Sequence, residues 1–93
     1  MLQDKIIVSR PKCLDVTVVH VIVNEACRFY SSIEILHDNH FLNLKSMKNT
    51  FQFFQEAKVG EIIITCQGYD EFYAIQQIVK VLERYLVENR PYR

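Results

Sequence analysis

The most regular pattern of apolar positions in this chain lies near its end. Phe72, Ile75, Ile78, Val79, Leu82, Tyr85 and Leu86 fall three and four apart, which predicts one buried stripe of a helix. Glu71, Gln76, Lys80, Glu83 and Arg84 take the solvent side, and Asp70 is suited to cap the helix start. Ahead of it, Glu61 to Cys66 predicts a strand. Its centre, Ile62-Ile63-Ile64, is apolar on both faces, which suits a central place in a sheet. Ser32 to His37 alternates, with Ile33 and Ile35 on one face, and predicts another strand. His37-Asp38-Asn39-His40 carries the chemistry of a tight hairpin, because Asp38 and Asn39 tolerate positive φ. Phe41 to Leu44 is the return strand, and Ser46 then caps a helix running to about Glu56. Lys5 to Ser9 predicts a short strand ended by Pro11. Lys58-Val59-Gly60 and Gln67-Gly68-Tyr69 are connections, and Asn89 to Arg93 is a polar tail broken by Pro91.

One stretch resists assignment by pattern. Val16 to Val23 holds seven β-branched residues, which favour a strand and would cost a helix roughly 3–4 kcal/mol in propensity. Yet Val16, Val19, Val23 and Ala26 fall at helical spacing behind a good N-cap, Asp15. Burial of such a stripe, at about 1.5–3 kcal/mol per Val or Ile, is large enough to reverse the preference. The residues alone leave both readings open.

Composition narrows the class. With 93 residues the chain is a single domain, 1–93, whose core removes roughly 60–65% of the unfolded surface from water. Eleven basic residues balance eleven acidic ones, so net charge supplies no footprint for nucleic acid or an anionic membrane. The three cysteines, Cys13, Cys27 and Cys66, are widely spaced with no C-x-x-C, which argues against a disulfide framework and a zinc site. Cys66 ends an apolar run and reads as a buried thiol. No cofactor or metal is expected. No signal peptide is apparent, Val16 to Val23 is too short to span a bilayer, and a reducing cytoplasm is the expected compartment.

The order β-α-β-β-α-β-α predicts an α+β domain in which three helices cover one face of a four-stranded antiparallel sheet. Three motifs then fall in register with it. They are Asn43-Leu44-Lys45-Ser46, the segment Glu25-Ala26-Cys27-Arg28-Phe29 through Ser32-Ile33-Glu34-Ile35, and Gly68-Tyr69-Asp70-Glu71 followed by Ala74-Ile75. Together they make the chain resemble, over nearly its whole length, the HPr family, the small histidine-containing phosphocarriers of the bacterial phosphotransferase system. The resemblance implies an open-faced sandwich and decides for a helix over Val16 to Cys27. It also implies that Ser46, an exposed cap, stands at the family's regulatory phosphorylation position.

The same register places the family's phosphocarrier motif, Gly-Leu/Ile-His-x-Arg-Pro-Ala, on Cys13-Leu14-Asp15-Val16-Thr17-Val18-Val19. Asp15 stands where the histidine belongs, Thr17 where an arginine would hold the phosphate, and Val18 where a proline would be. A phosphocarrier needs a neutral imidazole nucleophile and a cation for the phosphoryl oxygens. Asp15 therefore reads as a helix cap, as a fixed charge imitating a phosphorylated site, or, least in keeping with Thr17, as an acyl-phosphate acceptor. His20 lies too far inside the helix to replace the missing histidine.

Crh-type proteins, which resemble HPr, lack the histidine and keep the serine, set the pattern for such a loss. The resemblance then implies a regulatory protein rather than an enzyme, working in carbon-catabolite or phosphotransferase-system control. Its expected partners are proteins, HPr kinase/phosphorylase or a transcription regulator, with no direct nucleic acid or membrane contact, and the chain is expected as a monomer or weak dimer. The candidate contact residues are Asp15, Thr17, Lys45, Met47, Lys48 and Phe51. Phe51 and Phe53 point about 160° apart on a helix, so one stripe cannot bury both, and Met47 with Phe51 is expected to form an exposed face. The alternative to that exposed face is that the extra aromatics pack under a neighbouring loop or in an oligomer contact, and the alternative functions are an HPr-fold interaction module that binds an unrelated partner through the Met47/Phe51 face and a phosphoryl carrier of the sugar phosphotransferase system.

Overall fold

The computed structural model describes residues 1–8, 16–56 and 60–86. The elements in chain order are β1 (Leu2–Val8), α1 (Val16–Cys27), β2 (Ser32–His37), β3 (His40–Asn43), α2 (Met47–Glu56), β4 (Gly60–Gln67) and α3 (Glu71–Leu86). The four strands form one antiparallel sheet in the order β1-β4-β2-β3. This is the predicted architecture. Ser9, Pro11, Asp15, the Lys58-Val59 part of the predicted turn and the tail 89–93 lie outside the described residues.

Alternation along the strands builds a one-sided core. Ile6, Ile33, Ile35, Ile62, Ile64 and Cys66 face the helices and are buried. The residues between them, Lys5, Ile7, Glu34, Leu36, Glu61 and Ile63, point to the open face and are half-buried or exposed. Strand β4 does lie centrally, between β1 and β2. Ile63 is nonetheless only half-buried, because among the described residues no helix covers that side.

The β-branched stretch is helical. Val19, Ile22, Val23 and Ala26 of α1 are buried together, and the three larger side chains contribute roughly 5–9 kcal/mol against a propensity cost of about half that. Val16 does not belong to this stripe. It is 56% exposed at the first helical position, and Ile22 takes its place in the core.

In α3 the buried line is Ala74, Ile75, Ile78 and Leu82. Phe72, expected in the stripe, is 57% exposed. At about 100° per residue it sits roughly 100° round the helix from the centre of that line. Strand β1 begins at Leu2 rather than Lys5, since pairing of Leu2 with Cys66 and Asp4 with Ile64 holds an edge strand whose polar residues hid it from the pattern. Asp38 and Asn39 have φ of 56° and 66°, the conformation that a tight hairpin requires. Strand β3 ends at Asn43, one residue earlier than expected, and Leu44 is buried just beyond it.

Candidate functional site

The link from β3 to α2 is held residue by residue. The Asn43 side-chain oxygen accepts a hydrogen bond from the Lys45 N–H at 3.0 Å, and the Asn43 carbonyl accepts from the Ser46 N–H at 3.0 Å. Leu44 anchors the turn in the core, and its N–H donates to the Ile33 carbonyl at 3.0 Å. The hydroxyl of buried Thr50 donates back to the Leu44 carbonyl at 3.3 Å. Ser46 is the N-cap of α2. Its carbonyl accepts from the Thr50 N–H at 2.9 Å and its Oγ from the Asn49 N–H at 3.3 Å. Ser46 is half-buried rather than fully exposed, because this turn closes around it.

Lys45 is committed elsewhere. Its ammonium donates to the Phe29 carbonyl at 2.6 Å, just past the end of α1, where a helix terminus carries partial negative charge. The Cys27 Sγ lies 3.8 Å from the Lys45 carbonyl. Ser46 therefore sits beside the C-terminal end of α1. Val16, the first residue of α1, lies at the other end, about 17 Å away along a twelve-residue helix.

Of the other candidate residues, Thr17 and Lys48 are exposed, whereas Met47 and Phe51 are half-buried and packed on the core. The expected apolar contact face on α2 is thus partly spent inside the protein. Phe53 is also accommodated, edge-on to His37 at 5.6 Å and to buried Phe54 at 5.0 Å. His20 is exposed in the second turn of α1, and His37 and His40 lie in the β2–β3 hairpin.

A second junction, beside the first, was not legible as a junction. The Asp70 carboxylate accepts from the backbone N–H groups of Tyr30 and Ser31, both at 2.9 Å, and from the Ser31 hydroxyl. The Ser31 hydroxyl bond, then these backbone bonds, hold the Asp70 carboxyl below its usual range. Ser31 is buried, and a Cβ added to Gly68 would lie 2.6 Å from the Ser31 Cα. The Gly68 N–H donates to the Glu71 carboxylate at 3.1 Å, which lowers that carboxyl too and leaves Glu71 half-buried rather than on the solvent side. The Gly68-Tyr69-Asp70-Glu71 motif was the available signal, but its sequence shows only a helix cap, not the target of the carboxylate. Around this junction stand exposed Tyr30 and Tyr69, their rings 5.5 Å apart, and exposed Phe72 and Tyr73.

The buried Cys66 thiol is pushed up to about 11, first by burial and then by Glu71 and Asp70, so it is not a thiolate nucleophile at neutral pH. Among the described residues no group of His, Cys, Asp and Glu is arranged to hold a metal ion, and no helix is long and apolar enough to cross a membrane.

No protein-family model matches the sequence, and no curated protein matches it. Solved structures do. The histidine-containing phosphocarrier protein of Mycoplasma superposes with a TM-score of 0.81 at 27% identity, over 95% of this chain and 100% of that one. HPr-C-His of Thermoanaerobacter tengcongensis gives 0.78 at 23% identity, over 97% and 100%. Crh of Bacillus subtilis, which forms an intertwined, domain-swapped dimer, gives 0.65 at 24% identity, over 95% and 100%. The chain has the fold of the HPr and Crh proteins along nearly its whole length.

Proposed function

We propose that this chain is a regulatory relative of the HPr phosphocarriers that is phosphorylated at Ser46, does not carry phosphohistidine, and acts through protein partners in carbon-catabolite or phosphotransferase-system control. The carrying observation is the geometry of Ser46, whose Oγ caps α2 with the Asn49 N–H at 3.3 Å. A helix N-terminus offers free N–H groups and a favourable dipole to a phosphate placed there. Transfer forms an Oγ–P bond as the bond from the γ-phosphorus of ATP to ADP breaks, and the hydroxyl proton leaves to the kinase. The Lys45 ammonium is held by the Phe29 carbonyl, so the first-turn N–H groups and exposed Lys48 are the groups left to meet the phosphate.

Against phosphohistidine transfer stands the sequence at the start of α1, with Asp15, Thr17 and Val18 in place of the histidine, arginine and proline that the resemblance requires. Met47, Lys48 and Phe51 on α2, Thr17 on α1, Asp15 and Lys45 form the proposed contact set for a kinase or regulator, in a cytoplasmic setting. Incubation with HPr kinase/phosphorylase and ATP should add one phosphate to the wild type and none to Ser46→Ala, read by mass spectrometry. An unmodified wild type, beside an authentic HPr modified in the same reaction, overturns the proposal.

A further inference from the structure

The turn that presents Ser46 rests on a buried hydroxyl. Thr50, the fourth residue of α2, is 0% exposed. Its N–H makes the ordinary helical bond to the Ser46 carbonyl at 2.9 Å. A threonine within a helix commonly turns its hydroxyl back to a carbonyl three or four residues earlier. Thr50 instead reaches out of its helix. Its hydroxyl donates to the Leu44 carbonyl at 3.3 Å, and the Asn43 carbonyl, at 3.5 Å, is a second and longer acceptor for the same proton. Thr50 thereby meets the carbonyls of three of the four residues Asn43-Leu44-Lys45-Ser46. A buried hydroxyl is costly unless it is bonded, and valine would fill the same space without one.

We propose that Thr50 is a positioning residue for phosphorylation at Ser46, its hydroxyl fixing the backbone that presents the Ser46 Oγ. The inference rests on Ser46 being the phosphate acceptor. The bonds within the turn, from the Lys45 N–H to the Asn43 side chain and from the Ser46 N–H to the Asn43 carbonyl, set its local shape. The Thr50 hydroxyl adds the tie between that turn and the buried side of α2. In the transfer the Ser46 Oγ must release the Asn49 N–H and meet the γ-phosphorus of ATP in line. A reacting atom displaced by about 1 Å can cost about 100-fold in rate, so a turn without its anchor offers a kinase a poorer acceptor.

The two ends of the Thr50 side chain can be tested apart. Thr50→Val keeps the shape and removes the hydroxyl. Thr50→Ser keeps the hydroxyl and removes the methyl group. A purely structural Thr50 lowers stability in both variants and leaves phosphorylation of the folded protein untouched. A positioning Thr50 sorts the variants by the hydroxyl, with Thr50→Ser beside the wild type and Thr50→Val apart from it. Thr50→Ala against Thr50→Ser repeats the comparison at smaller volume, so the test does not hang on the folding of one variant.

The experiment measures initial rates with HPr kinase/phosphorylase and ATP on the full chain, at a temperature where circular dichroism shows each variant folded. Thr50→Val and Thr50→Ala should lose about tenfold in kcat/KM, and Thr50→Ser should stay within about twofold of the wild type. Amide exchange on the unmodified proteins reads the same hydroxyl without a kinase. Protection of the Ser46 and Asn49 N–H groups should fall about tenfold in Thr50→Val and persist in Thr50→Ser. Thr50→Val phosphorylated at the wild-type rate overturns the role of Thr50 and leaves the Ser46 reading standing. Thr50→Ser falling as far as Thr50→Ala also overturns it, since the hydroxyl would then not be the cause. A wild type untouched by the kinase, while authentic HPr is modified beside it, removes the Ser46 reading and this role with it.

Discussion

Two helix starts lie side by side where α1 ends, and they use similar capping residues for different purposes. Ser46 turns its hydroxyl onto its own helix, to the Asn49 N–H, and the neighbouring long-range tie belongs to Lys45 and Phe29. Asp70 sends its carboxylate across the fold to Tyr30 and Ser31, and Gly68 lets the two segments touch. Sequence alone makes them equivalent, since each is a cap residue ahead of an amphipathic helix. The structure makes one a local device and the other a clamp. A modification at Ser46 adds charge where a helix terminus favours it and breaks one cap bond. The same disturbance at Asp70 would open the core beside buried Ser31 and Cys66. The phosphate proposed for Ser46 would therefore disturb less than the same charge placed at Asp70.

The largest test of this contrast is Gly68→Ala. A methyl group 2.6 Å from the Ser31 backbone has no room, and the variant should lose about 2–4 kcal/mol, measured by urea denaturation. Wild-type stability at this position would mean that the two segments are not in contact. Asp70→Asn should come next, with a clear fall in the denaturation midpoint that exceeds any fall in Ser46→Ala.

Its signature is pH dependence. The folded Asp70 carboxyl titrates below its ordinary value of 3.8, so the unfolded chain binds the proton first as pH falls. The stabilisation is complete above that value and is lost as pH drops through the lower folded value. Acid titration of wild type against Asp70→Asn should show a difference that shrinks below about pH 4. A constant difference down to strong acid would remove the clamp from the account. Ser46→Ala should cost only about 1 kcal/mol, as an ordinary cap. Ser46→Asp should recover most of it through the helix dipole, checked by thermal denaturation. A loss at Ser46 as large as at Gly68 would erase the distinction.

Much of the fold could be read from periodicity. β2, the hairpin at Asp38-Asn39, the Ser46 cap and the end of α2 follow from local pattern and turn chemistry alone. The helical state of α1 could not be read that way, because seven β-branched residues argued for a strand and only the buried stripe reversed them. Strand β1 is longer than its apolar pattern because an edge strand tolerates Gln3, Asp4 and Lys5, which break any apolar alternation. Phe72 is exposed although it falls at helical spacing, because its angle to the other buried residues carries it off their line.

The candidate site was legible in its residues and not in their partners. Nothing in the sequence says that Lys45 reaches Phe29, that Asp70 reaches Ser31, or that Met47 and Phe51 are drawn half into the core. Those are contacts between segments far apart in the chain, and a pattern of types has no access to them.

The central claim, a phosphorylatable serine on a fold without its phosphocarrier histidine, is tested most directly by offering the protein two phosphoryl donors in parallel. One reaction holds ATP with HPr kinase/phosphorylase, the other phosphoenolpyruvate with enzyme I, and the label is mapped by mass spectrometry under acid- and alkali-preserving conditions. The account predicts one phosphate, on Ser46, from ATP only. A label from phosphoenolpyruvate, or a wild type untouched by the kinase while authentic HPr is modified beside it, would contradict it.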